Sequence, residues 1–202
     1  AHYWDNLFTT VSMVCVTGLF TQPVASSYTA FGQIVCMILM QIGGLSLLSF
    51  VGLIALQARK KLSFVNLATL QESFSRADTK NFQGFIFSVF RFTFAIEGLG
   101  ALLLSFYFVP QFGWGKGLFT SAFLAVSAFC NAGFDNMGST SLVDFVNNPY
   151  INLVIASLII MGGLGFSVWF DFQGRLDKRQ TGHRLSFHTK IVLGLTATIL
   201  TV

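Results

Sequence analysis

Between Asp5 and Arg59 the chain carries no charged side chain, and a second uncharged run extends from Phe145 to Phe170. A helix needs about 20 apolar residues to cross the hydrocarbon core of a bilayer, so the second run reads as one span. The first is too long for one span, and its polar middle, Thr21-Gln22-Pro23 to Ser26-Ser27-Tyr28-Thr29, divides it. Composition agrees with a membrane protein. Hydrophobic residues make up 53%, charged residues only 10%, and mean hydropathy is +0.69, whereas soluble domains carry about a quarter charged residues.

The formal charge of +4 does not mark a nucleic-acid surface, because the cations gather at helix ends. One cluster is Arg59, Lys60, Lys61, Arg76 and Lys80; the other is Arg175, Lys178, Arg179, Arg184 and Lys190. The opposite loops hold Asp5, Asp135 and Asp144 against Lys116. By the positive-inside rule the basic loops are cytoplasmic, so the charge reports topology. Cys15, Cys36 and Cys130 are odd in number and lie in apolar settings, which argues for small buried hydrophobes rather than a disulfide framework. The start, Ala1-His2-Tyr3-Trp4-Asp5, has no basic region of a signal peptide. The apolar run Leu193–Val202 stops short of a full span, and the chain reads as a fragment cut at both ends.

Two stretches repeat. Ser12-Met13-Val14-Cys15-Val16-Thr17-Gly18 and Ser127-Ala128-Phe129-Cys130-Asn131-Ala132-Gly133 share an S-x-x-C-x-x-G spacing, 115 residues apart. Each lies at the end of a short apolar segment, Leu7–Val16 or Leu118–Phe129, and each precedes a long one with a glycine pair, Gly43-Gly44 or Gly162-Gly163. The expected order is a short segment, an inward helix over about Phe31–Gln57, and an outward helix over Phe82–Val109 that ends at Pro110. An outer turn at Gln111–Lys116, the second short segment and an inward helix over Tyr150–Phe170 follow, and a further outward helix begins near His188.

These elements predict an all-α integral membrane protein with tandem repeats of outward helix, pore loop and inward helix around a central pore, as in a potassium channel. Residues 1–61 form a first repeat without its outward helix, 62–81 a cytoplasmic connector and 82–173 a second repeat. Residues 174–187 form a cytoplasmic loop and 188–202 the start of a third repeat. The copies share one orientation, so they suit an axis perpendicular to the membrane, unlike the inverted repeats of many carriers.

Non-helical backbone at membrane depth survives only where it is buried in protein or lines a watery cavity. Potassium filters meet that condition with carbonyl rings that replace the ion's hydration shell. Glycine permits the positive φ such a loop needs, and the negative end of a helix dipole favours a cation. The coordinating backbone is therefore expected at Val16, Thr17 and Gly18 and at Asn131, Ala132 and Gly133, with Ser12 and Ser127 as braces. A single such motif would more simply signal close helix packing; duplication before a full span favours the filter.

The chain resembles the Trk/Ktr/HKT superfamily of potassium transporters, most closely its Ktr-type membrane subunits. The matching residues are Val14-Cys15-Val16-Thr17-Gly18-Leu19, Met40-Gln41-Ile42-Gly43-Gly44-Leu45, Glu97-Gly98-Leu99-Gly100, Ser127 to Asp135, and Met161-Gly162-Gly163-Leu164-Gly165-Phe166. The resemblance implies four repeats in one polypeptide around a single pore, with Gly18 and Gly133 as the first two filter glycines. It further implies K⁺ as the transported ion, Na⁺ as a possible activator or co-ion, and a multi-pass bacterial plasma-membrane location. Homodimers in membrane lipid on a cytoplasmic nucleotide-binding, KtrA-like subunit are also implied. The gating elements of the family belong to its third and fourth repeats.

Arg91 and Glu97 lie within the Phe82–Val109 segment. An ionisable residue at membrane depth is a functional candidate, although Arg91 near the inner face is able to snorkel. Glu97 is read as hydrogen-bonding behind the filter in preference to binding an ion. Asp135 reads either as a carboxylate that concentrates cations at the pore mouth or as an exposed turn residue. His2, His183 and His188 have no metal-ligand spacing, and no catalytic constellation or phosphate loop is visible, so an enzyme is not expected. The rival readings are a structural or assembly subunit without an ion path, and a Na⁺- or H⁺-coupled carrier for which Glu97 would be the available group.

Overall fold

The computed structural model describes residues 3–45, 82–138, 140–166, 168–169, 171 and 186–201. The expected connector over 62–81 and the basic clusters at Arg59–Lys61 and Arg175–Arg184 lie outside the described residues. Among the described residues the regular structure is helical, with no strand. The helices are α1 (Tyr3–Val14), α2 (Val24–Ser27), α3 (Ala30–Gly44), α4 (Phe82–Phe112), α5 (Trp114–Phe129), α6 (Pro149–Gly163) and α7 (Phe187–Thr201). A 3₁₀ turn at Val143–Phe145 lies between α5 and α6.

Local chemistry sets several of these boundaries. Thr29 caps α3 by accepting the Gly32 N–H at 3.3 Å. Asn148 caps α6 by accepting the N–H groups of Tyr150 and Ile151, with Pro149 in the first turn where its missing donor costs nothing. The 31-residue α4 runs through Pro110 rather than stopping there. Proline in the last turn deprives only one carbonyl of its helical donor. Gly113, at φ 83°, ends the helix instead and returns its N–H to the Val109 carbonyl at 2.9 Å. The α5 helix starts at the next residue, so the turn expected over Gln111–Lys116 contracts to Gly113.

The uncharged run Phe145–Phe170 does not form a single helix either. The 15-residue α6 stops at Gly163 and the chain turns at Gly165, φ 81°. At about 1.5 Å per residue α6 is roughly 22 Å long, short of a hydrocarbon core of about 30 Å. Within the described residues, Phe87–Phe112 of α4 is the one helix long and apolar enough to cross a membrane. The α3, α6 and α7 helices are shorter apolar helices.

Two apolar clusters organise the packing, and α5 contributes to both. Leu104 and Phe108 of α4, Leu124 and Ala128 of α5, Phe145, and Ile151 and Leu158 of α6 form one. Met13 of α1, Cys36 and Met40 of α3, and Phe123, Cys130, Ala132 and Phe134 form the other. The second cluster joins the first repeat to the second. Much apolar surface stays uncovered, including Phe31, Phe94, Phe106, Leu153, Phe187 and Ile199. Exposed apolar area on this scale marks an interaction or membrane surface.

Candidate functional site

The C-terminal ends of α1 and α5 are built alike. In α1, Cys15 N–H bonds Val11 O, Val16 N–H bonds Met13 O and Thr17 N–H bonds Ser12 O. In α5 the same three bonds run from Cys130 to Val126, from Asn131 to Ala128 and from Ala132 to Ser127. The long bond back to Ser12 or Ser127, over a residue with positive φ, is the Schellman arrangement that satisfies orphan carbonyls at a helix end. Val16 and Asn131 occupy the left-handed position, each at φ 57°. Asparagine tolerates that region, whereas a β-branched residue there is strained.

Two residues later the backbone returns to positive φ, at Gly18 (74°) and Gly133 (72°). Between these kinks the loops leave the helix axis without forming regular structure. The hydroxyl of Ser12 accepts the Leu19 N–H and that of Ser127 the Phe134 N–H, both at 2.9 Å. Ser12 also exchanges a 2.7 Å hydrogen bond with the Thr17 hydroxyl, which Ala132 in the second loop cannot reproduce. The loops meet at their glycines. A Cβ added to Gly18 would lie 3.0 Å from the Ala132 carbonyl oxygen and 3.4 Å from the Gly133 Cα.

The glycine pairs lie directly against these loops. A Cβ on Gly43 would run into the Val14 carbonyl and the Val16 side chain, and one on Gly162 into the Phe129 carbonyl. The α3 and α6 helices thus each lie against the loop of their own repeat. The second glycine of α3, Gly44, faces Cys130 of the other repeat.

Behind the second loop lies a buried polar cluster that joins three elements. Gln41 of α3 donates from Nε2 to Glu97 Oε2 of α4, and the Cys130 thiol donates to Gln41 Oε1 at 3.1 Å. Cys130 is also 3.8 Å from Glu97 Oε1. Glu97 is 5% exposed and Gln41 9%. Arg91 is exposed and so lies on a different face of α4 from Glu97. On the other side of the loop, Asn136 Nδ2 donates to Gln33 Oε1 of α3 at 3.3 Å. Composition alone did not single out either glutamine, since their partners are distant in sequence.

Asp135 is held within its own turn. Its Oδ1 accepts the Met137 N–H at 2.9 Å and its Oδ2 the Ser141 hydroxyl at 2.5 Å. It borders a cavity of about 360 Å³ that Ser127, Asn131, Gly133, Ile155 and Ile159 also line. Among the described residues, no group of three His, Cys, Asp or Glu side chains is placed to hold a metal ion.

Residues 1–201 match the family described as "Cation transport protein", TrkH. The chain is 40% identical over 201 residues to the potassium/sodium uptake protein NtpJ of Enterococcus hirae, covering 98% of this chain and 43% of that relative. It is 41% identical over 189 residues to the Ktr system potassium uptake protein B of Bacillus subtilis, covering 94% of the chain and 41% of the relative. The protein of the same name from Vibrio alginolyticus is 36% identical over 198 residues, 98% of the chain and 43% of the relative. The chain thus spans about two-fifths of the length of these curated relatives, all of which are transport proteins and not enzymes. The family resemblance read from the glycine motifs is borne out: the chain belongs to the TrkH family of cation transport proteins.

Proposed function

We propose that the chain supplies two adjacent segments of a potassium-selective filter, in a protein that takes up K⁺ across the plasma membrane. The observation that carries the reading is the matched geometry of the two loops, with positive φ at Val16 and Gly18 and at Asn131 and Gly133. Backbone kinked at alternate residues directs carbonyl groups away from helical bonding, and such groups substitute for the hydration shell of a potassium ion. Val16, Thr17, Gly18, Asn131, Ala132 and Gly133 are the proposed ligating backbone. Ser12 and Ser127 hold the loops that follow α1 and α5, and Glu97 acts from behind the second loop. Asp135 is a turn residue near the outer mouth.

The cavity beside Asn131 and Gly133 supports a ring that continues beyond these two repeats. In the register of the glycine pairs, Ile155 and Ile159 correspond to Cys36 and Met40. Cys36 and Met40 pack against Phe123, Cys130 and Phe134 of the second repeat, whereas Ile155 and Ile159 border open space. Uptake is driven by the electrochemical gradient, since about 2.3 kcal/mol is available per charge per 100 mV. Na⁺ is a second candidate ion, a reading favoured by the name of the Enterococcus hirae relative. The Ktr system names favour a multi-component system, and we propose a multi-pass homodimer on a cytoplasmic nucleotide-binding subunit of KtrA-like type.

The test is to replace Gly18 and Gly133 singly with serine in the full-length protein. Each serine meets both an unfavourable φ and a neighbouring backbone atom. K⁺ affinity and K⁺/Na⁺ discrimination are expected to fall in uptake assays on K⁺-uptake-deficient cells. Unchanged values in both variants would remove the filter assignment and leave a structural or assembly role as the better reading.

A further inference from the structure

The α3 helix grips the loop of the other repeat from both sides, and among the described residues α6, its sequence-related helix, makes no matching grip. Below the loop, Cys130 donates to Gln41, which donates to Glu97. Above it, Asn136 donates to Gln33 at 3.3 Å. Gln33 is oriented for this contact because its Nε2 donates to the Tyr28 carbonyl at 3.1 Å, leaving Oε1 to face Asn136. The two glutamines are eight residues apart, about 12 Å along a helix, and the segment they hold contains Asn131, Ala132 and Gly133. In α6 the position matched to Gln41 is Ile160, and that matched to Gln33 is Asn152, whose side chain bonds the Val146 carbonyl at 2.8 Å.

We propose that Gln33 and Gln41 of α3, together with Glu97, are positioning residues that set the K⁺/Na⁺ preference of the second loop. The inference rests on the filter reading above. Discrimination by a carbonyl ring depends on where the carbonyls sit and how freely they move, and a functional shell holds its geometry only when residues behind it are fixed. Cys130 directly precedes the left-handed residue Asn131, so a shift at its thiol reaches the first kink of the loop. The hydrogen bonds of Gln41 and Glu97 run to each other and to Cys130 of the second loop. The control is therefore asymmetric: α3 and α4 of adjacent repeats govern one loop.

The test uses the full-length protein in K⁺-uptake-deficient cells, with membrane abundance measured for each variant. Rb⁺ uptake is recorded with competing K⁺ or Na⁺, so the ratio of the two inhibition constants is separated from maximal rate. Gln41→Leu and Glu97→Leu are expected to lower that ratio roughly tenfold, the scale of one buried hydrogen bond. The double exchange Gln41→Glu with Glu97→Gln preserves the hydrogen-bond chain. The carboxylate moved to α3 would accept from both the amide moved to α4 and the Cys130 thiol, and the exchange is expected to restore the ratio. A purely structural role would lower maximal rate through abundance and leave the ratio alone.

If both leucine variants reach the membrane and keep the ratio while Gly133→Ser changes it, the positioning role is overturned and the filter reading stands. If Gly18→Ser and Gly133→Ser also keep it, the filter reading falls and this inference with it. Should the leucine variants fail to accumulate, Gln41→Asn and Glu97→Asp, which stay polar but shorten the reach between α3 and α4, decide: a lowered ratio supports the role, and an unchanged ratio overturns it.

Discussion

Gly44 presses against Cys130: a Cβ added to Gly44 would fall 2.5 Å from both the Cβ and the Sγ of Cys130. The contact joins α3 of one repeat to the loop of the next. Its neighbour Gly43 meets the loop of its own repeat at the Val14 carbonyl. A glycine pair therefore serves two loops, one residue for each. Only hydrogen at both positions allows a helix to lie this close to non-helical backbone. The same backbone is bridged above and below by the glutamines of α3, so close packing and hydrogen bonding act on one segment.

Gly44→Ala should destabilise the full-length protein, because the added methyl displaces Cys130 from both Gly44 and Gln41. Overpacking of this kind costs about 1–3 kcal/mol. Gly98→Ala is the comparison, since nothing lies within 4 Å of its Cβ position in α4. There the substitution should be neutral or stabilising by up to about 1 kcal/mol through helix propensity. Thermal unfolding of the detergent-solubilised protein reads both changes. Equal melting temperatures for the two variants would show that the Gly44 contact carries no packing constraint.

Ser127→Ala should cost more than Ser12→Ala. Each serine accepts a loop N–H at 2.9 Å, but the bond from Phe134 is buried and that from Leu19 is part-buried. Leaving a buried donor without a partner costs about 1–3 kcal/mol, whereas a partly exposed N–H finds water. K⁺ affinity should follow the same order, with the larger loss at Ser127. An equal or reversed order in uptake and melting assays would contradict the difference in burial.

The repeat was legible because serine, cysteine and glycine recur at one spacing, and the turn geometry needs glycine at its second kink. Val16 was not legible as a left-handed residue. Its type argues against that backbone, and only the satisfied carbonyls of α1 explain why it is tolerated. Helix ends were misread where a rule about residue type met local position. Pro110 lies in the last turn of α4, where it removes one carbonyl's donor without ending the helix, and Gly113 makes the stop. The run Phe145–Phe170 looked continuous because hydropathy records charge and not φ, so the break at Gly165 left no trace in it. Glu97 drew notice through its charge at membrane depth. Its partner Gln41 is 56 residues away and becomes adjacent only through packing of α3 on the second repeat.

Val16→Asn should stabilise the first loop. Valine at φ 57° holds a β-branched side chain in the left-handed region, where L-residues lose roughly 1–2 kcal/mol and asparagine loses less. The second repeat already carries asparagine at the matched position with the same φ. Part of the gain is offset by the methyl contact that Val16 makes beside Gly43, so a net rise of about 1 kcal/mol is expected. The change should appear as a higher melting temperature of the full-length protein. Val16→Thr, which stays β-branched, should give no such rise. A fall in melting temperature with asparagine would mean that the packing of Val16 on α3 outweighs the backbone strain at the end of α1.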